Sequence, residues 1–424
     1  MEKPIIIIGS GPAGLAARVG AGEMGKKAVI LEKAHAPSLK LLASGGTKCN
    51  FSNMLSGEEF MARFGKKGAF MRNAISLTFR EWIINFLRSH NVDHSLVDDF
   101  YLFPASGGAK AVQEAFCEGF DPIETFAEVT EILTENGQAS GVLLKDGRKI
   151  EAEKVILAAG TSAWASLGSK KGLLLAEKCG HTIVDLLPAV APLHIKEDWV
   201  KLLAGVSLEK AEILLYEEKC SASGKKKQKE IWKTKGNLLF THEGLSGFSA
   251  LDMAEEAGKM CRKNHFATIL LKVFPERSHE ELSLLPAKYR KEYGNKFIRT
   301  LLAEKEGLPR SLAENIARLA ECEEMTGCRL TAESEKNLIS LLCDGIPLTV
   351  EKTGPMEKAM AASGGVSLKE IDPGTMESKL IKGLYFAGEI MDLVGPCGGY
   401  NIQWAISSGR LAGRSAAAGR KNPA

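Results

Sequence analysis

Three glycines near the start of the chain have the spacing of a phosphate-binding turn. Gly9, Gly11 and Gly14 form a G-x-G-x-x-G pattern directly after an apolar, β-branched run. That run, Ile5–Ile8, is typical of a strand buried on both faces of a parallel sheet. In such a turn the first glycine permits the bend, the second lets the backbone approach a pyrophosphate, and the third allows close packing of the next helix. The pattern predicts a dinucleotide site, with the amides of a helix over residues 15–25 facing the anion.

An acidic residue follows the glycines at the distance expected for a ribose contact. A second apolar run, Ala28–Leu31, ends in Glu32, whose carboxylate can accept hydrogen bonds from a ribose diol. The same negative charge would repel the 2′-phosphate of NADP. The order of strand, glycine turn, helix, strand and acid predicts a Rossmann-like α/β unit and disfavours the alternative of a glycine turn without a ligand.

Two later apolar runs each lead into a glycine, Gly160 and Gly388. They are Val155–Gly160 and Gly383–Glu389, and Asp392 follows the second. Together with the first turn they resemble the three-point pattern of two-dinucleotide-binding-domain flavoproteins. In that pattern the C-terminal Gly-Glu/Asp meets the ribityl chain and pyrophosphate of FAD.

Four further segments, spread along the chain, resemble the YhiN/BaiN-type flavoprotein family. They are Lys40–Asn50, Gly236–Gly247, Ala362–Lys379 and Gly398–Gly413. Three departures concern the substrate side rather than FAD. The family has Gly-Gly-Arg-Cys-Asn where this chain has Gly46-Thr-Lys-Cys-Asn50, a Thr-Gly-Ser-Thr-Gly-Asp-Gly loop where it has Leu167–Gly172, and Thr where it has Cys397.

The resemblance implies FAD as cofactor and a set of residues that contact it. The Lys40–Asn53 loop would run along the pyrophosphate and flavin, where Lys48 could pair with a phosphate and Asn50 could bond a carbonyl; the alternative for Lys48 is a solvated loop lysine. The predicted FAD-binding residues are Gly9, Ser10, Gly11, Pro12, Ala13, Gly14, Glu32, Lys33, Lys40, Lys48, Cys49, Asn50, Val129, Ala159, Gly160, Gly388, Glu389, Asp392, Gly398, Gly399, Tyr400, Asn401 and Ile402.

The segment Gly398–Ile402 is expected to open the last helix. Its backbone amides would direct the positive helix end at the N1/O2 edge of the flavin and stabilise the anionic reduced form. Tyr400 could donate a proton to a substrate, or it could be a packing residue beside the cofactor. These two interpretations stay open at this point.

Cys49 and Cys397 are the two thiols within the flavin-type motifs. Each could be a proton donor or a thiolate in contact with flavin, and the two could form a redox pair. The alternative is that both are small buried side chains. Neither thiol belongs to a CxxC pair, and the chain shows no spacing typical of a metal site.

FAD-type sequence at both ends of the chain predicts an inserted middle. We expect a discontinuous FAD-binding domain at 1–190 and 357–424, a β-barrel-like domain at 193–272 and 344–356, and a helical domain at 273–343. Alternating apolar residues predict antiparallel strands over 193–272, and Ile346–Val350 is expected to return to that sheet. Capping boxes are predicted at Ser278 with Glu281 and at Ser311 with Glu314.

Composition narrows the function classes. The chain has 424 residues, 45% hydrophobic and 25% charged, with a net charge of +3. This charge is too small to predict nucleic-acid or membrane binding by itself. Nine cysteines without paired spacing disfavour a disulfide framework, and no signal peptide is recognisable, so we expect a cytoplasmic enzyme that does not bind a membrane.

Ser106–Gly108 and Gly168–Gly172 contain glycines, but we expect them to be loops that lack the order of strand, turn and helix. We therefore expect no second dinucleotide-binding turn. NADH or NADPH would then visit the flavin transiently. The leading hypothesis is an FAD-dependent oxidoreductase that reduces a conjugated C=C bond; the family resemblance adds steroid- or bile-acid-like substrates. One alternative is uridine reduction in ribosomal RNA, with the basic run Lys225–Lys229 as an RNA contact rather than a solvated loop. A third is a flavin sensor with little turnover.

Overall fold

The computed structural model describes residues 3–164, 166–220 and 226–418, and within these ranges the side chains at 218–220 and 226–228 are outside the description. The strands are β1 (Ile5–Ile8), β2 (Ala28–Leu31), β3 (Ser52–Asn53), β4 (His94–Val97), β5 (Tyr101–Pro104), β6 (Val129–Glu135), β7 (Gln138–Leu144), β8 (Lys149–Glu151), β9 (Lys154–Leu157), β10 (Ile183–Ala189), β11 (Leu193–Ile195), β12 (Ser207–Cys220), β13 (Lys226–Thr241), β14 (Gly244–Ser246), β15 (Ala267–Lys272), β16 (Ile346–Thr353), β17 (Ala361–Val366) and β18 (Leu384–Phe386).

The α-helices are α1 (Pro12–Glu23), α2 (Leu39–Ala43), α3 (Gly57–Ala62), α4 (Arg72–Leu77), α5 (Arg80–Ser89), α6 (Gly108–Cys117), α7 (Lys171–Lys178), α8 (Asp198–Lys201), α9 (Phe248–Leu251), α10 (Ala254–Asn264), α11 (His279–Ser283), α12 (Leu285–Glu292), α13 (Ile298–Glu304), α14 (Arg310–Leu319), α15 (Ala332–Cys343) and α16 (Tyr400–Ala418). Short 3-10 turns lie at Ser44–Thr47, Gly65–Met71, Gly327–Arg329, Leu368–Glu370 and Gly388–Ile390.

The chain divides into two compact units. Unit 1 comprises Met1–Leu187 and Met360–Ala424, and unit 2 comprises Pro188–Ala359. Each unit has its own cluster of buried apolar side chains. The finer division of the inserted segment into a β domain and a helical domain stays a prediction.

A parallel sheet with strand order β18–β9–β1–β2 is the centre of unit 1. Its strands come from both ends of the chain, and every residue of β1 is buried, as the all-isoleucine sequence predicts. Helix α16 packs closely on α1, because a Cβ at Gly409 would lie 2.1 Å from the carbonyl oxygen of Ala13 and one at Gly413 would lie 1.9 Å from that of Ala17. The fold class is the predicted Rossmann-like α/β type.

The first helix begins earlier than the sequence pattern indicated. We expected residues 15–25, whereas α1 spans Pro12–Glu23. Proline is favourable in the first helical turn, because its missing N–H would have no intrahelical partner there and its φ is already helical. The helix therefore starts directly after Gly11, at the point where an anion would meet its amides.

Unit 2 contains a closed barrel. The strand order is β11–β14–β13–β12–β15–β16, with antiparallel pairing. The strand predicted at Ile346–Val350 is part of this barrel, within β16. The expectation of strands alone over 193–272 was wrong, since α8, α9 and α10 lie in that range; α10 buries Ala254, Ala257 and Met260 on one face, a helical period that the alternating pattern did not capture.

The two predicted capping boxes have different outcomes. The Ser278 hydroxyl accepts a hydrogen bond from the Glu281 amide, and the Glu281 carboxylate accepts one from the Ser278 amide, so this box is confirmed. The box at Ser311 is wrong, because α14 already begins at Arg310 and Ser311 lies inside its first turn. Pro309 takes the cap position, which suits a residue that has a fixed φ and no N–H.

The glycine loop Ser106–Gly108 also differs from expectation. It follows strand β5, and helix α6 begins at Gly108, so the strand–turn–helix order that we did not expect is present. However, β5 lies between β3 and β4 in a small antiparallel sheet. A dinucleotide turn requires the carboxyl edge of a parallel sheet, and this loop does not have that setting.

His181 forms a buried polar contact in unit 1. Its side chain is fully buried, with Nδ1 3.1 Å from Glu370 Oε2 and Nε2 2.9 Å from Ser378 Oγ. Burial lowers the pKa of His181, although the hydrogen bond with Glu370 acts in the opposite direction. A histidine whose pKa is lower in the folded than in the unfolded chain stabilises the fold above its unfolded pKa of about 6.5 and loses that contribution as the pH falls.

We therefore expect the free energy of unfolding to fall more steeply between pH 7.5 and 5.5 in the parent protein than in His181→Gln. Glutamine does not titrate, so the carboxylates that do not contact position 181 cancel in the comparison. Glu370, which does contact it, keeps in both proteins the bonds to Thr182 that lower its pKa. Urea unfolding at the two pH values measures the difference. An equal decrease of the unfolding free energy in both proteins would contradict a lowered pKa of His181 in the folded state.

Candidate flavin site

The glycine turn leaves space for a phosphate at its second glycine. Gly9 has φ +101°, and a Cβ there would lie 2.7 Å from the carbonyl oxygen of Ala158 at the end of β9. A Cβ at Gly14 would lie 1.9 Å from the carbonyl oxygen of Gly9. At Gly11, by contrast, φ is −64° and no atom lies within 4 Å of the Cβ position. Gly9 and Gly14 are thus required by packing, whereas Gly11 faces open space at the N-terminus of α1.

Glu32 is fixed beside this turn. The Ser10 amide and hydroxyl donate to its Oε2 at 3.0 and 2.6 Å, and the Ala34 amide donates to Oε1 at 2.8 Å. A carboxylate has roughly four acceptor positions, so these three bonds leave capacity for a ribose hydroxyl. The side chain of the neighbouring Lys33 is exposed, yet desolvation by the surrounding protein lowers its pKa.

Two ion pairs join the N-terminal loops to the segment after β18. Lys40 Nζ lies 2.6 Å from Glu389 Oε2, and Lys67 Nζ lies 2.6 Å from Asp392 Oδ1. Backbone amides hold both carboxylates, since Ala362 donates to Glu389 Oε1 and Gly364 to Asp392 Oδ1. The structure therefore brings together three predicted residues, Lys40, Glu389 and Asp392.

Gly160 and Gly388 lie at the same sheet edge. Gly160 has φ +64°, and its Cβ position is 3.9 Å from Glu389 Oε2. Gly388 has φ +76°, with a Cβ position 2.7 Å from the Ala13 side chain, and its amide donates to Ser408 Oγ. Parallel pairing of β9 with β1 and β18 places the ends of these strands side by side.

The turn Gly398–Gly399 fits closely against β3. At Gly399 φ is +83°, and a Cβ would lie 2.6 Å from the backbone nitrogen and oxygen of Ser52. Asn53 Nδ2 donates to the Gly398 carbonyl at 2.9 Å. In the orientation that satisfies its hydrogen bonds, the Asn50 amide donates to the carbonyls of Ser52 and Leu102, at 2.7 and 3.1 Å. Asn50 therefore helps to shape the strand against which the turn packs.

The next residues begin α16 and have structural contacts. Asn401 donates to the Gly395 carbonyl and accepts from the Gly395 amide, both at 2.8 Å, so it fixes the preceding loop. Tyr400 is 3% exposed and stacks on Phe60 with ring centroids 5.0 Å apart. This environment favours the interpretation of Tyr400 as a packing residue. Ile402 follows in the first turn of the helix and is half-buried.

The thiols differ in exposure. Cys49 is fully buried, and burial raises the pKa of its thiol to about 12, although a hydrogen bond with Ser44 acts to lower it. A thiolate at Cys49 is therefore disfavoured, whereas Cys397 is half-buried. Lys48 is exposed. Catalytic roles for Tyr400, Cys49 and Cys397 stay predictions, and the burial of the first two weighs against them.

The loop before β3 has unusual backbone geometry. Gly45, Gly46, Thr47 and Cys49 all have φ between +55° and +75°. For a β-branched residue such as Thr47 this conformation is a true outlier. Such strain persists only where surrounding structure enforces it, and it is concentrated at functional sites.

Several residues of this region were not predicted from the sequence. They are Ser52, Asn53, Lys67 and Ser408, each defined by a contact with a predicted segment. Their only signal in the sequence is proximity to the Lys-Cys-Asn motif or position within the last helix. The partners of Ser52, Asn53 and Lys67 lie in the segment after β18, more than 300 residues away, so spacing could not identify these three. Ser408 accepts from the Gly388 amide, 20 residues earlier in the chain.

Two features of this region fit an FAD molecule. One is the open space at Gly11, which a side chain would fill. The other is Ser52 Oγ, a fully buried hydroxyl that has no hydrogen-bond partner among the described residues and lies beside the Gly398–Gly399 turn. A buried polar atom without a partner is unfavourable unless a ligand or water satisfies it. The donor set thus suits a dinucleotide that extends from Glu32 to the start of α16.

Comparison with known proteins identifies the family of the chain. The HI0933-like protein Rossmann domain matches residues 3–415. The ribosomal RNA dihydrouridine synthase of Escherichia coli (strain K12) is 28% identical over 411 residues, covering 95% of each chain. The 3-dehydro-bile acid delta(4,6)-reductase of Clostridium scindens is 27% identical over 422 residues, covering 97% of this chain and 98% of that protein.

A solved structure shares the fold. The 3-ketosteroid-delta4-(5alpha)-dehydrogenase of Rhodococcus jostii RHA1 is 15% identical, with a TM-score of 0.50 and coverage of 98% of this chain and 97% of that one. Within the described ranges, no helix is both long and apolar enough to cross a membrane. The chain belongs to the HI0933-like Rossmann family and is an FAD-dependent oxidoreductase.

Proposed function

We propose that the protein reduces a C=C bond conjugated with a carbonyl group, in a small unsaturated substrate of steroid or bile-acid type, with electrons from NADH or NADPH. The observation that carries this proposal is the type of reaction shared by the two relatives described above. Formation of dihydrouridine reduces the uracil C=C bond next to a carbonyl, and a 3-dehydro-bile acid delta(4,6)-reductase acts on double bonds conjugated with a ketone. Both proteins align with at least 95% of this chain.

The residues of unit 1 would hold the cofactor in an extended pose. Gly11 and the N-terminus of α1 would accept the pyrophosphate, and Glu32 would accept hydrogen bonds from the adenosine ribose. Lys40 neutralises Glu389 and so reduces the repulsion between that carboxylate and the phosphates. When bound, FAD supplies the hydride that is added to the substrate alkene.

The start of α16 would stabilise negative charge near the flavin. Gly398 and Gly399 bring the backbone close to β3, and the 19-residue helix that follows presents its positive end there. Asn53 holds this turn through the Gly398 carbonyl, and Asn401 holds the loop before it through the Gly395 backbone. The Ser52 hydroxyl adds a donor beside the turn. The overall reaction consumes one hydride equivalent from NAD(P)H and one proton, and it yields the saturated ketone and NAD(P)⁺.

An anaerobic reoxidation assay tests the proposal. Enzyme reduced by light, NADH or NADPH is mixed with a 3-keto-4-ene steroid, and we expect the oxidised flavin absorbance to return in proportion to the steroid added. The matching saturated 3-keto steroid is the control and should leave the flavin reduced. Reduced enzyme that no conjugated enone reoxidises would refute the proposed reaction. Failure of both nicotinamides to reduce the flavin would refute the proposed donor alone.

Uridine reduction in RNA is the second candidate. Besides the E. coli relative, it has support from the hairpin of β12 and β13. Strand β15 pairs with β12 over residues 212–216, whereas β13 continues to pair with it as far as Cys220. Lys229 and Lys233 on this hairpin are exposed, while Lys225 of the predicted basic run lies outside the described residues. In the reoxidation assay, a response to ribosomal RNA fragments that weakens with salt, without a response to enones, would favour this candidate.

A further inference from the structure

A cavity of unit 1 lies where the adenosine half of the cofactor site should end. It has a volume of about 330 Å³ and is lined by Lys33, Phe126, Glu128, Leu144, Lys145 and Asp146. Lys33 directly follows Glu32, the residue expected to bind the ribose. The volume lies at the lower end of the range of roughly 300–1,000 Å³ that is typical of small-molecule sites.

Phe126 is the unusual residue of this cavity. Its side chain is 76% exposed, and its backbone has φ +55°. An exposed aromatic ring gains nothing from burial, and the left-handed conformation costs about 1–2 kcal/mol for a residue with a side chain. The exposed ring does not stabilise the protein by itself, so a ligand that covers it would explain why an aromatic residue stands at this position.

The backbone around Phe126 is tied to the strand end that carries Glu32. The Phe126 amide donates to the Ala34 carbonyl at 3.1 Å, and the Ala127 amide donates to the Glu32 carbonyl at 2.9 Å. A base is joined directly to the ribose by its glycosidic bond. If Glu32 binds the ribose, the attached base therefore lies within the reach of Phe126.

The charges of the cavity favour a neutral heteroaromatic ring over an anion. Lys33 and Lys145 are balanced by Glu128 and Asp146, and Glu128 is further paired with Lys171. A phosphate would meet two carboxylates, whereas an adenine ring offers a flat face to Phe126 and polar edges to the rim. Leu144, which is buried, lies beneath the cavity.

We propose that Phe126 is the platform on which the adenine ring of FAD stacks, and that it gives the site its preference for FAD over FMN. The proposal rests on the assignment of FAD as the cofactor. Phe126 lies outside the Gly9–Gly14 turn and is distinct from Glu32, the acid that follows this turn. The aromatic ring would replace the water on one face of the base.

Binding to the apoprotein tests this role. The probes are FAD, FMN and ADP; ADP carries the adenosine end without the flavin. Phe126→Ala should weaken binding of FAD and ADP by the same factor, roughly 5- to 150-fold, because stacking of a base on an aromatic ring contributes about 1–3 kcal/mol. Binding of FMN should not change. Phe126→Trp should restore FAD binding, and Phe266→Ala, which removes another exposed phenylalanine, is the matched control.

The outcomes separate this proposal from the cofactor assignment. Unchanged FAD and ADP affinities in Phe126→Ala would overturn it, and so would an equal loss for FMN, which has no adenine. A parent apoprotein that binds no FAD would overturn the cofactor assignment as well. Thermal unfolding of each apoprotein shows whether a loss of binding comes from a loss of fold.

Discussion

Replacing Gly11 with Asp is expected to give a folded protein that no longer retains FAD. The backbone at Gly11 has φ −64° and ψ 177°, which any residue adopts, and no atom lies within 4 Å of the Cβ position. Asp is also a favourable residue at a helix N-cap, so the apoprotein should not be destabilised. In the holoenzyme the carboxylate would occupy the space for the pyrophosphate and repel it. We expect the FAD affinity to fall by roughly a hundredfold or more, equivalent to about 2.7 kcal/mol.

Fluorescence titration of the apoprotein with FAD, together with its thermal unfolding, measures both parts of this expectation. Gly57→Asp is the matched control, since Gly57 is the first residue of α3, within one position of the place that Gly11 has before α1, and its Cβ position has only an ordinary contact, 3.6 Å from Ile75. The control should bind FAD as the parent does. If Gly11→Asp bound FAD with parental affinity, the phosphate would have to lie elsewhere.

Gly399→Ala is expected to abolish tight FAD binding for a different reason. The new Cβ would meet the Ser52 backbone at 2.6 Å, a separation that backbone atoms cannot relieve without movement. The turn must then shift away from β3, and the amides at the start of α16 shift with it. Loss of one hydrogen bond from a backbone amide to a charged cofactor group should weaken FAD binding by roughly 10- to 150-fold, since such a bond contributes about 1.5–3 kcal/mol. The flavin absorbance that copurifies with the protein and the FAD dissociation constant report the loss.

Gly180→Ala separates this steric effect from backbone strain. Gly180 has φ +85°, almost the same as the +83° of Gly399, but no atom lies within 4 Å of its Cβ position. Both variants should lose about 1–2 kcal/mol of stability from the left-handed conformation. Only Gly399→Ala should lose FAD. If both variants lost FAD to the same extent, backbone strain, and not contact with Ser52, would make glycine necessary at position 399.

The sequence predicted well where the signal was local. Strand β2 has the predicted bounds Ala28–Leu31, and the apolar runs at Ile5–Ile8, Val155–Gly160 and Gly383–Glu389 contain strands of one parallel sheet. A strand buried on both faces must be apolar throughout, so its sequence identifies it without help from its neighbours. The errors occurred where two local signals compete, as at Ser311, where a proline displaced the expected cap.

The contacts that complete the site follow from tertiary structure. Lys40 and Glu389 are 349 residues apart, and Lys67 and Asp392 are 325 residues apart. Asn53 reaches the Gly398 carbonyl across 345 residues. A periodicity covers a few turns or one strand, so it contains no information about such pairs.

By itself, the sequence determined that a glycine turn, an acid and four apolar strands form a dinucleotide-binding α/β unit, because each of these features depends on neighbouring residues. The tertiary structure alone decided which glycines are required by packing and which faces open space. It also buried Tyr400 and Cys49, two residues whose types had indicated chemistry, and exposed Phe126, which no motif contains. Burial and close approach depend on atoms distant in the chain, and these atoms meet only when both ends of the chain join in one sheet.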